Sequence, residues 1–389
     1  MKKTIAAALA AAAALAANAD PFGAPPDAKH AWSAHDDNRP PVAKISADGV
    51  KPPSDAKILF DGTKESIEKN WCDTRGRPTK WKLDENGELI SVRGAGYICT
   101  REKFADCQLH VEWAAPKKVQ GYGQGRGNSG VFLPGDFEIQ VLDSWETDAS
   151  RTPNPNPNYS DGQAGAAYGQ NPPLANPCRA PGVFNTYDII FHSPVYGKDG
   201  KIERPATATV LFNGVVVQDN WMFDGPTVWR SRASYPAKMP ARLPIRLQDH
   251  GNPVHYRNIW VRELPPQGSN TTYGNWYAKP ADVETQREKN AAALEKEFEA
   301  KWGKALPGEK AVERRRIAAC KPNPDRIAKA EAAEKELVEF MGSAGVTRRN
   351  LDSKSGVSYN NLRHYYGNLR AAGAIGPDNA VLKKLDTLK

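Results

Sequence analysis

The sequence holds no apolar run longer than Ile5–Ala17, and that stretch is mostly alanine. A helix that crosses a bilayer needs about 20 predominantly apolar residues, so the pattern argues against an integral membrane protein. Cysteine is scarce, at Cys72, Cys99, Cys107, Cys178 and Cys320. The spacing fits no zinc pattern, and five thiols cannot all pair within one chain. One or two bridges among Cys72, Cys99, Cys107 and Cys178 suit an oxidising compartment, with the connectivity left open. The Gly-rich segment 117–127 is followed by neither GK[ST] nor a helix start, so it is no phosphate loop. A strong excess of one charge is missing as well. Of the formal +8, most comes from residues 280–389, where 21 Lys+Arg face 16 Asp+Glu at helical spacing. Interleaved signs mark a solvated helix face and give no nucleic-acid surface.

What is present starts with the features of a secretory signal. Lys2 and Lys3 precede the apolar stretch, and Ala17-Asn18-Ala19 is a small-x-small cleavage site. The expected signal peptide is 1–19, and the mature protein is exported to the periplasm or beyond the cell. No cysteine follows the site, so no lipid attachment is expected. Residues 20–56 are rich in Pro, Asp, Ala and His without a hydrophobic period, and read as an extended leader that wraps the next domain or is partly disordered. His30 and His35 in it have no ligand cluster and read as exposed.

From 57 to 264 the texture is short apolar runs between turn signals. Hairpins are expected about Asn86-Gly87 and Asn213-Gly214. In Cys107–Trp113 the alternation sets Cys107, Leu109, Val111 and Trp113 on one face and Gln108, His110 and Glu112 on the other. Ten or more such strands with no long helix predict a mainly β fold, an antiparallel two-sheet sandwich. Beyond a linker at 265–280 the chain becomes helical through 281–389. Helices are expected near 281–302, 309–320, 324–344, 356–372 and 377–388, an α-helical C-terminal appendage.

The stretch that organises the chain is 128–143. Two strands meet at a Pro134-Gly135-Asp136 turn. In the second, Ile139 and Val141 point one way and Glu138 and Gln140 the other. On pattern alone this polar side is the solvated face of a strand. A β-bulge after Gln140 would bring Asp143 beside Glu138, placing two carboxyls and an amide on one floor. A second polar-faced strand carries Arg246, Gln248 and His250. The Gly-rich loop offers Tyr122 and Arg126 as rim contacts, and the long segment 144–182 reads as a functional rim. Asp136, Asp143, Asp148 and Asp161 supply enough oxygen ligands for calcium or another divalent metal, but no loop shows a defined ligand spacing and simple surface acids are the better account of each.

Several segments in order carry a family resemblance: Leu59-Phe-Asp-Gly-Thr63, Phe104-Ala-Asp with Glu112-Trp113, Asn128-Ser-Gly-Val-Phe, Phe137-Glu-Ile-Gln-Val-Leu-Asp143, Gly165-Ala-Ala-Tyr-Gly169, Pro181-Gly-Val-Phe-Asn-Thr-Tyr-Asp188, Asn213-Gly-Val, and Pro244 through Ile259. Over roughly 57–264 the chain resembles the 3-keto-disaccharide hydrolase domain family. The resemblance implies a concanavalin-like jelly-roll sandwich and an enzyme that cleaves glycosides already oxidised to a ketone at C3. It also implies an upstream sugar 3-oxidoreductase as partner. A C3 ketone acidifies the C2 proton, so a base can remove it and the glycosidic oxygen can leave, with water adding afterwards. Under this reading Glu138 and His250 divide the base and acid roles. Asp143, Gln140, Gln248 and Asn128 bind hydroxyls or orient that pair. Arg126, Gln248 or a bound metal steadies the enolate, and Tyr122, Trp145 and Tyr168 stack on sugar. The spacing Glu138-x-Gln140-x-x-Asp143 is also similar to the bulged Glu-x-Asp-x-x-Glu motif of laminarinase-type glucanases, with Gln and a shorter Asp in place of two acids. A lectin-like binding module without turnover is the alternative of another class.

Overall fold

The computed structural model describes residues 23–28, 30–34, 52–146, 154–264, 280–301 and 305–389. The expected signal peptide, His35, Asp148, the Pro265-Pro266 break and Trp302 lie outside the described residues. The chain divides into two compact units, Ala43–Gln267 and a second made of Met1–Val42 with Gly268–Lys389.

The first unit is built mainly from two antiparallel sheets, beside a two-stranded ribbon of Val195–Tyr196 and Ile202–Arg204. The larger sheet orders its strands as Val215–Met222, Thr207–Phe212, Asn185–His192, Cys107–Ala114, His255–Glu263, Leu89–Ile90 and Lys82–Leu83, with Lys57–Phe60 also paired to His255–Glu263. The smaller sheet runs Trp71–Asp73, Ile98–Thr100, Arg246–Leu247, Ser129–Leu133 and Phe137–Val141. The period-2 pattern sets the inner faces. Cys107, Leu109, Val111 and Trp113 are all fully buried, as are Tyr187, Ile189 and Phe191 on the neighbouring strand. They meet Val131, Leu133, Phe137, Ile139 and Val141 from the smaller sheet in one core, with Phe137 and Phe191 ring centroids 5.6 Å apart. Two buried hydroxyls tie sheet to sheet: Tyr187 donates to the Gln140 carbonyl and Tyr256 to Ser129 Oγ, each at 2.6 Å. The hairpin at Asn213-Gly214 forms as expected, with both residues left-handed (φ 51° and 82°). The fold is the mainly β sandwich with C-terminal helices that the sequence predicts.

His110 is expected to point outward, and it does lie on the polar side of its strand, yet it is far from free. Its ring stacks on Trp260 and meets Asp188 Oδ1 at 2.7 Å. Burial pulls its pKa down, but Asp188 and Glu112 outweigh this and hold it at about 9.

The second unit carries helices Pro280–Lys301, Pro307–Cys320, Pro324–Met341, Leu351–Ser355, Tyr359–Ala371 and Ala380–Thr387. Leu337, Leu362, Tyr365, Tyr366 and Leu385 form its core, and a buried bidentate pair joins Arg315 to Glu334 at 2.6 and 2.7 Å. Residues 23–28 and 30–34 of the leader group with this helical unit, whereas 52–56 belong to the sandwich unit, where Asp55 pairs with Arg262 at 2.7 Å. Ala31 and Trp32 pack on Val283, and Asn290 donates to the Ala31 carbonyl at 2.9 Å. Trp32 supplies the apolar surface that makes this docking favourable. No described helix is long and apolar enough to cross a membrane.

Candidate active site

A groove of about 1120 Å³ opens over the outer face of the smaller sheet. Its floor follows from strand register. Glu138 lies opposite Phe132, Phe132 opposite Arg246, and Arg246 opposite Cys99, so these side chains form one lateral row. In the next row Gly130 lies opposite Gln140 and its carbonyl accepts from the Gln248 backbone N–H at 3.1 Å. Gln248 Nε2 in turn donates to the Tyr97 hydroxyl at 2.6 Å. The alternation that buries Ile139 and Val141 therefore turns Glu138 and Gln140 to the groove, and both line it with Asn128, Tyr168, Gln248 and His250.

Glu138 is the unusual group. It is 4% exposed, and its carboxyl has no hydrogen-bond partner among the described residues. Burial drives its pKa up to about 8, against a smaller opposing pull from Arg246. Space for the carboxyl comes from Gly130. A Cβ there would sit well inside van der Waals contact of Glu138 Oε1 and 3.0 Å from Phe132 Cε2, although the backbone at Gly130 is not left-handed. Gly130→Ala is therefore expected to swing the carboxyl aside. Steady-state kinetics should show a loss of about tenfold to a hundredfold in kcat, while thermal unfolding should report only about 1–3 kcal/mol of destabilisation.

The amides beside Glu138 are held by one end and open at the other. Gln140 Nε2 donates to the Gly162 carbonyl at 3.2 Å, and Asn128 Nδ2 donates to the Gln124 carbonyl at 2.7 Å. Asn128 Oδ1, Gln140 Oε1 and Gln248 Oε1 are buried with no partner among the described residues. Buried polar atoms left unpaired call for an explanation, and acceptors grouped in one groove suit a ligand rich in hydroxyl donors. His250 exposes its ring at the groove while its backbone is braced. Asp249 accepts from Gly96 N–H at 3.0 Å and Gly251 N–H at 2.8 Å, and Asn252 donates to the His250 carbonyl at 3.2 Å.

The structure places several of the residues singled out from the sequence away from the groove. No bulge follows Gln140, because the register to Ser129–Leu133 is unbroken and the strand ends at Val141. Asp143 lies past the strand end, buried in an ion pair with Arg126 (Nε to Oδ2 2.6 Å). Neither residue lines the groove. Tyr122 and Trp145 are exposed but also lie outside it. The cation on the groove floor is Arg246, whose Nη2 is 2.6 Å from Asp136 Oδ1 and whose guanidinium sits 5.2 Å from the Phe132 ring, while Arg230 and Arg232 line the rim. Arg246 Nε has no partner among the described residues. Of the acids considered for calcium, Asp136 and Asp161 line the groove, Asp143 does not, and Asp148 lies outside the described residues. Asp143 pairs with Arg126 and Asp136 with Arg246. Among the described residues the one trio with metal-ligand proximity is Asp84, Glu88 and His255, and none of the three lines the groove.

Two rims complete the site. Residues 165–168 pair along the free edge of the Glu138 strand, with Tyr168 N–H donating to the Glu138 carbonyl at 3.2 Å. They bring Tyr168, with Tyr159 and Asp161, to one side. The other rim, around 227–232, has no sequence signal beyond an exposed Trp among arginines. Thr227 anchors it, donating its N–H to the Asp136 carbonyl (2.8 Å) and accepting Glu138 N–H at Oγ1 (3.0 Å). Trp229 is 70% exposed, with the Arg230 guanidinium 4.5 Å from its ring centre.

With fold and groove defined, comparison with known proteins places the chain. Residues 55–262 match the 3-keto-alpha-glucoside-1,2-lyase-like domain, and the chain belongs to that family. A candidate glycosyl hydrolase of Parabacteroides distasonis is similar at 40% identity and TM-score 0.51, over 58% of this chain and 92% of that one. A second candidate glycosyl hydrolase of the same organism is 21% identical, with TM-score 0.37, over 54% of this chain and 99% of its own. No curated protein matches the chain. Family and first relative support a carbohydrate-active protein of the glycosidase class.

Proposed function

We propose that the protein cleaves the glycosidic bond of 3-keto glycosides by elimination followed by hydration. The observation that carries this is Glu138, a groove-floor carboxyl 4% exposed with no hydrogen-bond partner among the described residues, whose pKa burial pushes up to about 8. Such a group is poised to donate, which divides the roles between the two candidates. His250, at the groove surface, removes the C2 proton that the C3 ketone acidifies. The electrons move to the ketone oxygen, where the Arg246 guanidinium and the Gln248–Tyr97 pair are the nearby donors. The enolate then expels the glycosidic oxygen at C1, and Glu138 protonates it as it leaves. Water adds to C1 of the unsaturated product with ionised Glu138 as base, and C2 regains its proton from His250. Asn128, Gln140 and Gln248 offer acceptors for the sugar hydroxyls. The route needs no second carboxylate, which fits a groove that Asp143 does not enter. Action after a sugar 3-oxidoreductase, in an exported setting, is part of the same reading.

The test is product formation from a matched pair, trehalose and 3-keto-trehalose, with and without EDTA. Cleavage of the keto sugar alone is expected. Cleavage of the parent sugar would replace this reading by an ordinary glycosidase, and binding of either sugar without cleavage, across several linkages, by a lectin-like module. Loss of turnover in EDTA would add a metal to the mechanism.

A further inference from the structure

We propose that Cys72 and Cys99 form a disulfide that locks the outer strand of the groove-bearing sheet. This rests on neither the substrate nor the assignment of Glu138. The two cysteines are directly opposed on antiparallel neighbours, Trp71–Asp73 and Ile98–Thr100. Opposed residues of an antiparallel pair have Cα atoms inside the range a disulfide spans. Their sulfurs face each other at 3.5 Å, so bond formation needs only a small side-chain rotation.

The other three thiols sit elsewhere. Cys107 is fully buried in the sandwich core on the larger sheet, Cys178 lies by the Leu142 carbonyl, and Cys320 lies in the helical unit by the Arg287 carbonyl. Burial, reinforced by Cys72, pushes the Cys99 thiol pKa up, which argues against a standing thiolate nucleophile at this site. In the reaction two S–H bonds break and one S–S bond forms. The S–S bond of a disulfide-bearing oxidant breaks in exchange, and the two protons and two electrons pass to it, leaving it as two thiols.

The bond has a structural consequence for the groove. Cys99 opposes Arg246, Arg246 opposes Phe132, and Phe132 opposes Glu138. The disulfide continues this lateral row to the sheet edge and pins the strand that backs Arg246 and leads out of Tyr97. It also closes the 72–99 excursion, in which the chain leaves for the Lys82–Leu83 and Leu89–Ile90 strands of the other sheet and returns.

The experiment uses the full chain, equilibrated with oxidised and reduced glutathione at an oxidising ratio, alkylated without reduction and mapped by mass spectrometry. A Cys72–Cys99 cross-linked peptide is expected, with Cys107, Cys178 and Cys320 unlinked. Cys72→Ser and Cys99→Ser should each lower the melting temperature of the oxidised protein by roughly 5–10 °C, and the fully reduced wild type should melt near the variants. Alkylation of both Cys72 and Cys99 after oxidation, or a bridge between any other pair, would overturn the proposal. The mapping is made on the wild type and does not depend on whether either variant folds.

Discussion

Glu138→Gln is expected to remove turnover of a 3-keto glycoside and at the same time to raise the melting temperature at neutral pH. The amide keeps the shape of the carboxyl but has no acidic proton to give the leaving oxygen. A positioned general acid contributes about 10²–10⁴-fold, so a loss of that order in kcat is expected. In the wild type the rate should fall as pH rises through about 8, where Glu138 loses its proton. The stability effect has the opposite sign. The folded carboxyl titrates at about 8 against an ordinary value of 4.5, so between these values the folded state holds a proton that the unfolded state has released. Stability is then greatest at or below the ordinary value and declines as pH rises toward 8, by an amount on the order of a few kcal/mol. The substituted amide does not titrate, so the two proteins should melt alike near pH 4 and diverge by pH 8, with the variant higher. The measurement is melting temperature against pH for both proteins, beside kcat. A variant that keeps its turnover would take Glu138 out of the acid role; equal melting curves at every pH would overturn the raised pKa of its buried carboxyl.

Asp143→Ala is expected to act through stability. The carboxylate and Arg126 are each 2% exposed, and the pair is joined at 2.6 Å. Removing one member strands a buried guanidinium, an effect of about 3–5 kcal/mol. In a sandwich of this size that corresponds to a melting temperature roughly 10 °C lower. Replacing both members with apolar residues of similar volume, Arg126→Met with Asp143→Leu, should recover most of the loss, because neither charge is then left unpaired. Thermal melts of the single and double variants decide it. Should Asp143→Ala melt like the wild type and yet fail to turn over substrate, the carboxylate belongs in the chemistry after all.

These two residues show what the sequence could and could not convey. The faces of the Phe137–Val141 strand were legible because burial on one side of a strand imposes a period of 2, which separated Glu138 and Gln140 from Ile139 and Val141. The same logic set Gln248 and His250 on one side, and both line the groove. Placing Asp143 beside Glu138 requires a bulge after Gln140, whereas the register runs unbroken and the strand stops at Val141. The true partner of Asp143, Arg126, lies across a hairpin, and no periodicity links the two. The second rim was missed for a related reason. Thr227 reaches Glu138 across 89 positions, a contact fixed only when the sheet has formed. Arg246 was read as one more polar residue of its strand, since the turn at Asp136 that holds it is a tertiary neighbour. The leader was read from composition alone, which carries no trace of the pocket that receives Trp32.

That docking has a consequence for the order of assembly. Ala31 and Trp32 are made before the sandwich, whereas Val283 and Asn290, which receive them, are made after it. The helical unit is thus discontinuous in the chain, with the sandwich inserted between its two pieces. An emerging chain can complete the sandwich from residues it already has, while the segment before it waits exposed for the last helices. Cutting the helices away would orphan Trp32 on whatever remained, so a clean excision has to remove both ends together.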